Sequence, residues 1–356
     1  MRNLITCLSV CVLSGATFAD TWTVDDDGKA DFDNIQAAVD ASSDGDEIIV
    51  YPGTYTSAAG EVVDMLGKEI WLHSSEGAGV TIIDGEDARR GVLCNSGETS
   101  NTIIEGFTIT NGHNSDNGGG MFNYDSSPIL TDCSFMNNTA PYGGGMYNNG
   151  SNSNPTLTNC TFIGNSADYG GGMHNSSSSS PTLTDCTFTG NTANNNGGGM
   201  YNVFDLSNLT LTYCTFTNNT AGNSGGGMFN NNNSPTLTNC TFESNSATNG
   251  GGGMFNYNNS NPTLTDTTVC GNTPDQIYSD EDSDSGWVDG GGNTITDDCS
   301  LCLADIALDD GQVNVHDLLS LIAVWGTTSP SADINFDGTV NVHDLLLLIA
   351  AWGECE

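Results

Sequence analysis

The chain has 356 residues, enough for one large domain and a small one. Five basic residues face 44 acidic ones, and the formal net charge of -39 repels nucleic acid and anionic lipid surfaces, which excludes both as natural partners. With 36% hydrophobic residues, 14% charged residues and 45 glycines, the chain is too weakly charged for disorder by repulsion and too rich in Gly and Asn for helices, which leaves an all-β repeat protein.

Residues 1–19 read as a secretory signal. Arg2 gives the positive start, Leu4 to Leu13 the apolar run, and Thr17-Phe18-Ala19 the small-residue cleavage site. That run is too short to span a bilayer, and no second apolar span follows outside the tail helices. The expectation is a secreted or cell-surface protein without a membrane span. Cys7 and Cys11 leave with the signal, so ten of the 12 cysteines remain.

A short amphipathic helix is predicted over Asp33 to Ala41, capped by Asp33 or Asn34. The segment from Gly45 to Tyr55 follows as the first strand and turn, and residues 62–112 give irregular coils around Ile70-Trp71-Leu72, Val80 to Ile83 and Thr102 to Thr110.

Then the sequence repeats. Gly-Gly-Gly-Met recurs with Met at 121, 146, 173, 200, 228 and 254, at intervals of 25, 27, 27, 28 and 26. Each unit continues into a segment like Pro155 to Phe162 and closes on Phe-x-x-Asn, as in Phe135/Asn138 and Phe162/Asn165, with Val269/Asn272 as a degenerate last copy. Strands this short bury nothing alone, but stacked coils do, because each strand pairs in parallel with its equivalent about 4.8 Å away. The unit therefore reads as one turn of a right-handed single-stranded parallel β-helix, with six clear copies in 118–272 and the domain spanning 20–298. Leu157, Cys160 and Phe162 should point inward, and Asn159 should take a left-handed bend. Two asparagine files, one through Asn123, Asn148, Asn175, Asn202, Asn230 and Asn256 and one through the Phe-x-x-Asn residues, should form amide ladders.

The entry helix and the strand after it resemble those of pectate-lyase-like β-helix proteins, which implies a helix closing the open end of the core. The six copies resemble the polymorphic outer membrane protein repeat, with Gly-Gly-Gly-Met in place of that family's Gly-Gly-Ala-Ile-like run. This resemblance implies a surface adhesin, although the chain carries no membrane barrel.

Residues 299–356 hold a duplicated loop and helix. In the second loop Asp333, Asn335, Asp337, Asn341 and Asp344 supply oxygen at positions 1, 3, 5, 9 and 12, Gly338 stands at 6, and the Thr339 carbonyl at 7. That is EF-hand-type Ca²⁺ geometry. The first loop has 13 residues, with Ala307 at a ligand position, and its ligands are assigned to Asp305, Asp310, Gln312, Asn314 and Asp317. Two such units ending in Trp-Gly resemble the type I dockerin module. The resemblance implies a calcium-ordered α-helical module that docks on a cohesin-like or envelope protein partner through Val315/His316 and Val342/His343. Since these pairs are identical, two docking orientations are implied. The bland counterpart is a module that folds on calcium and has no partner.

Candidate chemistry is sparse. A polysaccharide lyase needs a Lys or Arg as base or clamp, and a glycosidase needs converging carboxylates. No basic residue follows Arg90, and 118–272 holds seven acids, of which Asp132, Asp185 and Asp266 share a turn slot with Asn159 and Asn239. Phe122, Tyr147, His174, Tyr201, Phe229 and Phe255 form a column that points outward if the methionines point in. It reads either as a platform for a sugar chain or, preferred, as a self-stacked ladder or one covered by a neighbouring loop. Cys133, Cys160, Cys186, Cys214 and Cys240 read as core filler ahead of a disulfide ladder, while Cys302 and Cys355 are placed to clasp the tail by a disulfide. The reading that follows is a non-catalytic surface binding protein, adhesin-like or polysaccharide-associating, docked through its tail. Its rivals are a polysaccharide lyase or hydrolase delivered by its dockerin, and a structural envelope component.

Overall fold

The computed structural model describes residues 19–203, 209–280, 284–297, 299, 312–313, 315–327, 332, 339–350 and 353–354. Residues 1–18 of the expected signal segment 1–19 lie outside the described residues. The chain divides into two compact units, Met1–Ile295 and Thr296–Glu356.

The first unit is a right-handed parallel β-solenoid. It opens one strand earlier than the sequence suggested, with β1 (Thr21–Val24) pairing in parallel with β2 (Glu47–Val50). Between them α1 (Ile35–Ala41) buries Ile35, Ala38 and Val39. Asn34 is its N-cap, accepting from the Ala37 amide at 2.8 Å. Its C-terminal carbonyls are met by the Lys68 ammonium, which donates to Val39, Asp40 and Ser42. A cation on the last turn satisfies orphan carbonyls and complements the helix dipole.

Each central coil makes four strands; one coil runs Met173–Ser176, Thr182–Thr184, Thr187–Thr189 and Thr192–Asn196. Equivalent strands stack into sheets of eleven, nine, ten and five strands among the described residues. The methionines are in register, Met121 with Met146 and so on through Met254, and all six have 0% exposure. Leu157, Cys160 and Phe162 are buried as expected. The bend slot is occupied by Asp132, Asn159, Asp185, Tyr213, Asn239 and Asp266, every one at a φ between 48° and 56°. Asp and Asn tolerate that region, which accounts for the three coil acids placed there.

The glycine runs serve two purposes. Gly197 sits at φ 70°, and a Cβ on Gly199 would fall 2.5 Å from the Gly227 carbonyl of the next coil. Five phenylalanines, Phe135 to Phe242, stack at 4.5–4.8 Å between centroids and within 6° of parallel. The five column cysteines are free buried thiols; Cys160 Sγ donates to the Thr158 carbonyl at 3.4 Å. They fill the core and form no disulfide ladder.

Both amide files exist. In the second, each Oδ1 accepts twice from the preceding asparagine, through its main-chain amide and its Nδ2. Asn165 donates to Asn191 at 3.0 and 2.9 Å, and Asn191 to Asn219 at 3.0 and 2.9 Å. From Asn165 onward each Nδ2 also donates to a phenylalanine carbonyl, as Asn191 does to Phe162 at 2.9 Å, while Asn138 donates to the Ile109 carbonyl at 3.0 Å. At the last coil Gln276 Oε1 accepts from the Asn272 amide and Nδ2, occupying the place of the next asparagine.

Replacing Asn191 by Leu removes the acceptor for the buried Asn165 amide. A stranded buried donor costs about 1–3 kcal/mol, and two are left here, so urea unfolding should show a loss of about 3 kcal/mol. An unchanged midpoint would remove the ladder from the list of stabilising features.

Candidate functional site

In the nine-stranded sheet, side chains alternate in and out. Met and Asn point inward, so the residue between them points outward, and the column Phe122, Tyr147, His174, Tyr201, Phe229, Phe255 is aligned in register and extended by Tyr278. The geometry is that of the self-stacked ladder, not of an open platform. Tyr147, His174, Tyr201 and Phe229 are at most 9% exposed, because the rings pack against one another at 4.8–5.5 Å. At the near end the Arg90 guanidinium lies 5.1 Å from the Phe122 centroid.

What opens to solvent is a cleft. Tyr142 and Tyr169 come from the five-stranded sheet, stack on each other at 5.7 Å, and lean over the column, Tyr142 5.4 Å from His174 and Tyr169 5.3 Å from Tyr201. With Asn149, Ser176, Val203 and Asn231 they bound a cavity of about 360 Å³. The cavity sits where the ladder substitutes an imidazole for a larger ring. Tyr142 and Tyr169 were not singled out in the sequence, yet the signal was there: each directly precedes a glycine triplet, in the slot that Asn117, Asn196 and Ser224 fill elsewhere.

His174 stands edge-on between its neighbours, at 75° to Tyr147 and 82° to Tyr201. Neither ring nitrogen has a hydrogen-bond partner. Burial pushes its pKa down to about 3 against a small opposing pull from the Tyr169 main chain, so the ring is neutral at pH 7. An edge turned to two tyrosine faces suits N–H···π contact. Tyr147 and Tyr201 are held above the ordinary phenol range by burial, and the Tyr147 hydroxyl pairs with Ser176 at 2.9 Å.

The four described Lys and Arg side chains are all engaged. Lys29 pairs with Asp27 and Arg89 with Glu86, while Lys68 caps α1. Arg90 donates to the Gly118 and Asn117 carbonyls at 3.1 and 2.9 Å.

The second unit contains α2 (Val315–Ala323), α3 (Val342–Ala350) and an antiparallel pair of Gln312–Val313 with Gly353–Glu354. Leu321, Ala332, Val340 and Leu348 form its core. Asp305, Asp310, Asn314, Asp333, Asn335, Asp337, Cys302 and Cys355 lie outside the described residues, as do the side chains of Gln312, Val315, His316, Asp317 and Asp344. Cys299 is disulfide-bonded. Thr339 and Asn341 are described: Asn341 Nδ2 donates to the Thr339 carbonyl at 2.6 Å, and its Oδ1 accepts from the His343 amide at 2.9 Å. Among the described residues no group of three or more His, Cys, Asp or Glu converges as a metal site. Val342 and His343 are exposed, and beside them the helices expose Leu319, Ile322, Leu346 and Ile349. These four occupy equivalent positions in the two repeats, a surplus of apolar residues that the duplicated sequence already displayed.

Comparison with known proteins finds matches to two parts of the chain. Residues 65–212 match the right handed beta helix region, and residues 308–351 match the dockerin type I domain. Solved structures that resemble the chain include the pectate lyase Pel9A, with TM-score 0.48, 12% identity, and 86% of this chain and 85% of that chain covered. Pectin methylesterase from carrot gives 0.40, 13%, 78% and 87%, and a rhamnogalacturonan lyase 0.37, 11%, 92% and 98%. No curated protein matches. No helix among the described residues is long and apolar enough to cross a membrane.

The lowered His174 pKa gives the unfolded chain one more proton between about pH 6.5 and 3, so this residue's contribution to stability falls as pH falls through that window. A His174→Phe variant, which restores the aromatic ladder, should lose less stability than the parent between pH 6.5 and 5 in denaturant titrations. Parallel pH profiles would mean that His174 is not buried neutral.

Proposed function

We propose that the chain is an exported, non-catalytic binding protein that associates with extracellular glycans through its solenoid and is held in place by its tail. The observation that carries this reading is the tyrosine-lined cleft at His174, an apolar-walled concavity with a few polar groups, the usual make-up of a small-ligand site. Support comes also from the four described Lys and Arg side chains, all engaged, and from Asp132, Asp185 and Asp266, which sit at left-handed bends; among the described residues of the regular coils there is no Lys or Arg to clamp a uronate. A rigid array of equivalent coils lets weak contacts add by multivalency.

The tail supplies the tether. Dockerin domains bind cohesins, and the match over 308–351 together with the exposed stripe of Val342, Leu346 and Ile349 on α3, mirrored by Leu319 and Ile322 on α2, supports docking on a cohesin-like partner. Calcium fits the chemistry of the loops, whose donors are all oxygen, including the Thr339 carbonyl and Asn341. The ion would order the loops and so couple binding to folding of the module. His343 adds nothing to a hard-cation site; its place at the start of α3, beside Val342, suits a contact with the partner.

Three measurements bear on this. Calorimetry on the full chain should show Ca²⁺ binding that falls at least tenfold in Asp333→Ala and Asp344→Ala; undiminished binding would place the ion elsewhere. In a cohesin pull-down, Leu319→Glu or Leu346→Glu alone should leave capture intact, and the double variant should abolish it, as two equivalent faces require. Pectins, alginates and sulfated glycans incubated with the protein should yield no new reducing ends or unsaturated products. Turnover lost on changing one acid would establish the enzyme instead.

A further inference from the structure

The outward face of the eleven-stranded sheet carries a second aromatic feature in the early coils, far in sequence from the cleft at His174. Trp22 and Trp287 pack against the core, whereas Trp71 is 39% exposed. An exposed indole would ordinarily be loose, but this one is braced on two sides. Its Nε1 donates to Glu105 at 3.0 Å, and its ring lies on His73 at 4.1 Å between centroids and 20° between planes. His73 is fixed in turn by Glu47 at 3.0 Å, and Glu47 accepts from the Thr21 hydroxyl at 3.0 Å.

A cavity of about 330 Å³ borders Trp71, lined among others by Glu47, Glu69, Asn101 and Ile103. Its lining does not include His73, so the cavity and the stacked imidazole meet the indole at different places. Glu69 stands at its rim, accepting from Thr99 at 2.7 Å and from Asn101 Nδ2 at 3.0 Å. Each carboxylate oxygen has lone-pair capacity beyond those bonds. The lining contains no Lys or Arg.

A fixed flat apolar plate, edged by acceptors and without a cation, selects a ligand with a flat C–H face and a belt of hydroxyl donors. Anionic sugars are repelled by Glu47 and Glu69. A simple organic cation is poorly served, since cation sites enclose the charge with several aromatic faces and one face of Trp71 is already covered. We propose that this cavity is a carbohydrate subsite for one uncharged pyranose ring, stacked on Trp71 with hydroxyls donating to Glu69. The inference rests on the glycan-associating reading above and adds both the place and the charge class of the sugar.

The test is calorimetric titration of the full chain with neutral cellohexaose, xylohexaose and mannohexaose, with a glucosamine hexamer, and with hexagalacturonate. At least one neutral hexaose should bind, with affinity reduced tenfold or more by Trp71→Ala and retained within about threefold by Trp71→Phe. Thermal melts should show that Trp71→Ala stays folded. Neutral-sugar binding that survives Trp71→Ala overturns the subsite while leaving the broader glycan reading standing. Binding of the glucosamine hexamer or hexagalacturonate alone overturns the assigned charge class, and binding of no probe overturns subsite and reading together.

Discussion

The structure depends on the in-register stacking of identical side chains, and the interior asparagine file enforces it most strictly. Each amide oxygen in that file accepts the two donors of the coil before it, and the same residue's main-chain N–H and Nδ2 present two unmet donors to the coil after it. A slip of one residue would turn every inward side chain outward and leave buried amides unpaired. Hydrophobic stacking of phenylalanine and methionine tolerates small shifts; the two-point amide contact does not. The polar file thus sets the register that the apolar files fill.

From that register the functional surface follows. Because inward positions are fixed as Met and Asn, the intervening residue must line up outside, and chemistry can be altered only by varying that residue or the slot before the glycine triplet. The His174 cleft arises in this way, from one smaller ring in the column and two tyrosines in the neighbouring slot. Trp71 follows the same rule in the eleven-stranded sheet, where residues at alternate positions of adjacent coils meet diagonally and brace one another.

Most of the architecture was legible because repetition is itself a structural signal. The spacing of Met121 to Met254 gave the coil, the Phe-x-x-Asn pairs gave the ladders, and Asn159 gave the bend. What was not legible depended on pairing across coils of unlike sequence. β1 is hidden because Thr21–Val24 has no repeat equivalent, and its identity as a strand comes only from pairing with β2. The Gln276 terminus is hidden for the same reason, since no spacing announces that a glutamine will occupy an asparagine's place. The aromatic column was legible as a self-stacked ladder, whereas Tyr142 and Tyr169, which lean over it, come from a fourth strand per coil that propensity alone does not announce. In the tail, the duplicated sequence shows Leu319 and Ile322 matched by Leu346 and Ile349, but not that all four are exposed, since an apolar periodic position reads the same whether or not it is covered.

Gln276 closes the amide file by imitating the residue that one more coil would have supplied, while α1 and Lys68 finish the opposite end with unrelated parts. Start and stop are therefore separate from the unit being counted. Whole units can be gained or lost by unequal recombination within the repeated stretch, and the product still has two finished ends. Length in such a protein is a heritable variable that selection can adjust without redesigning the fold.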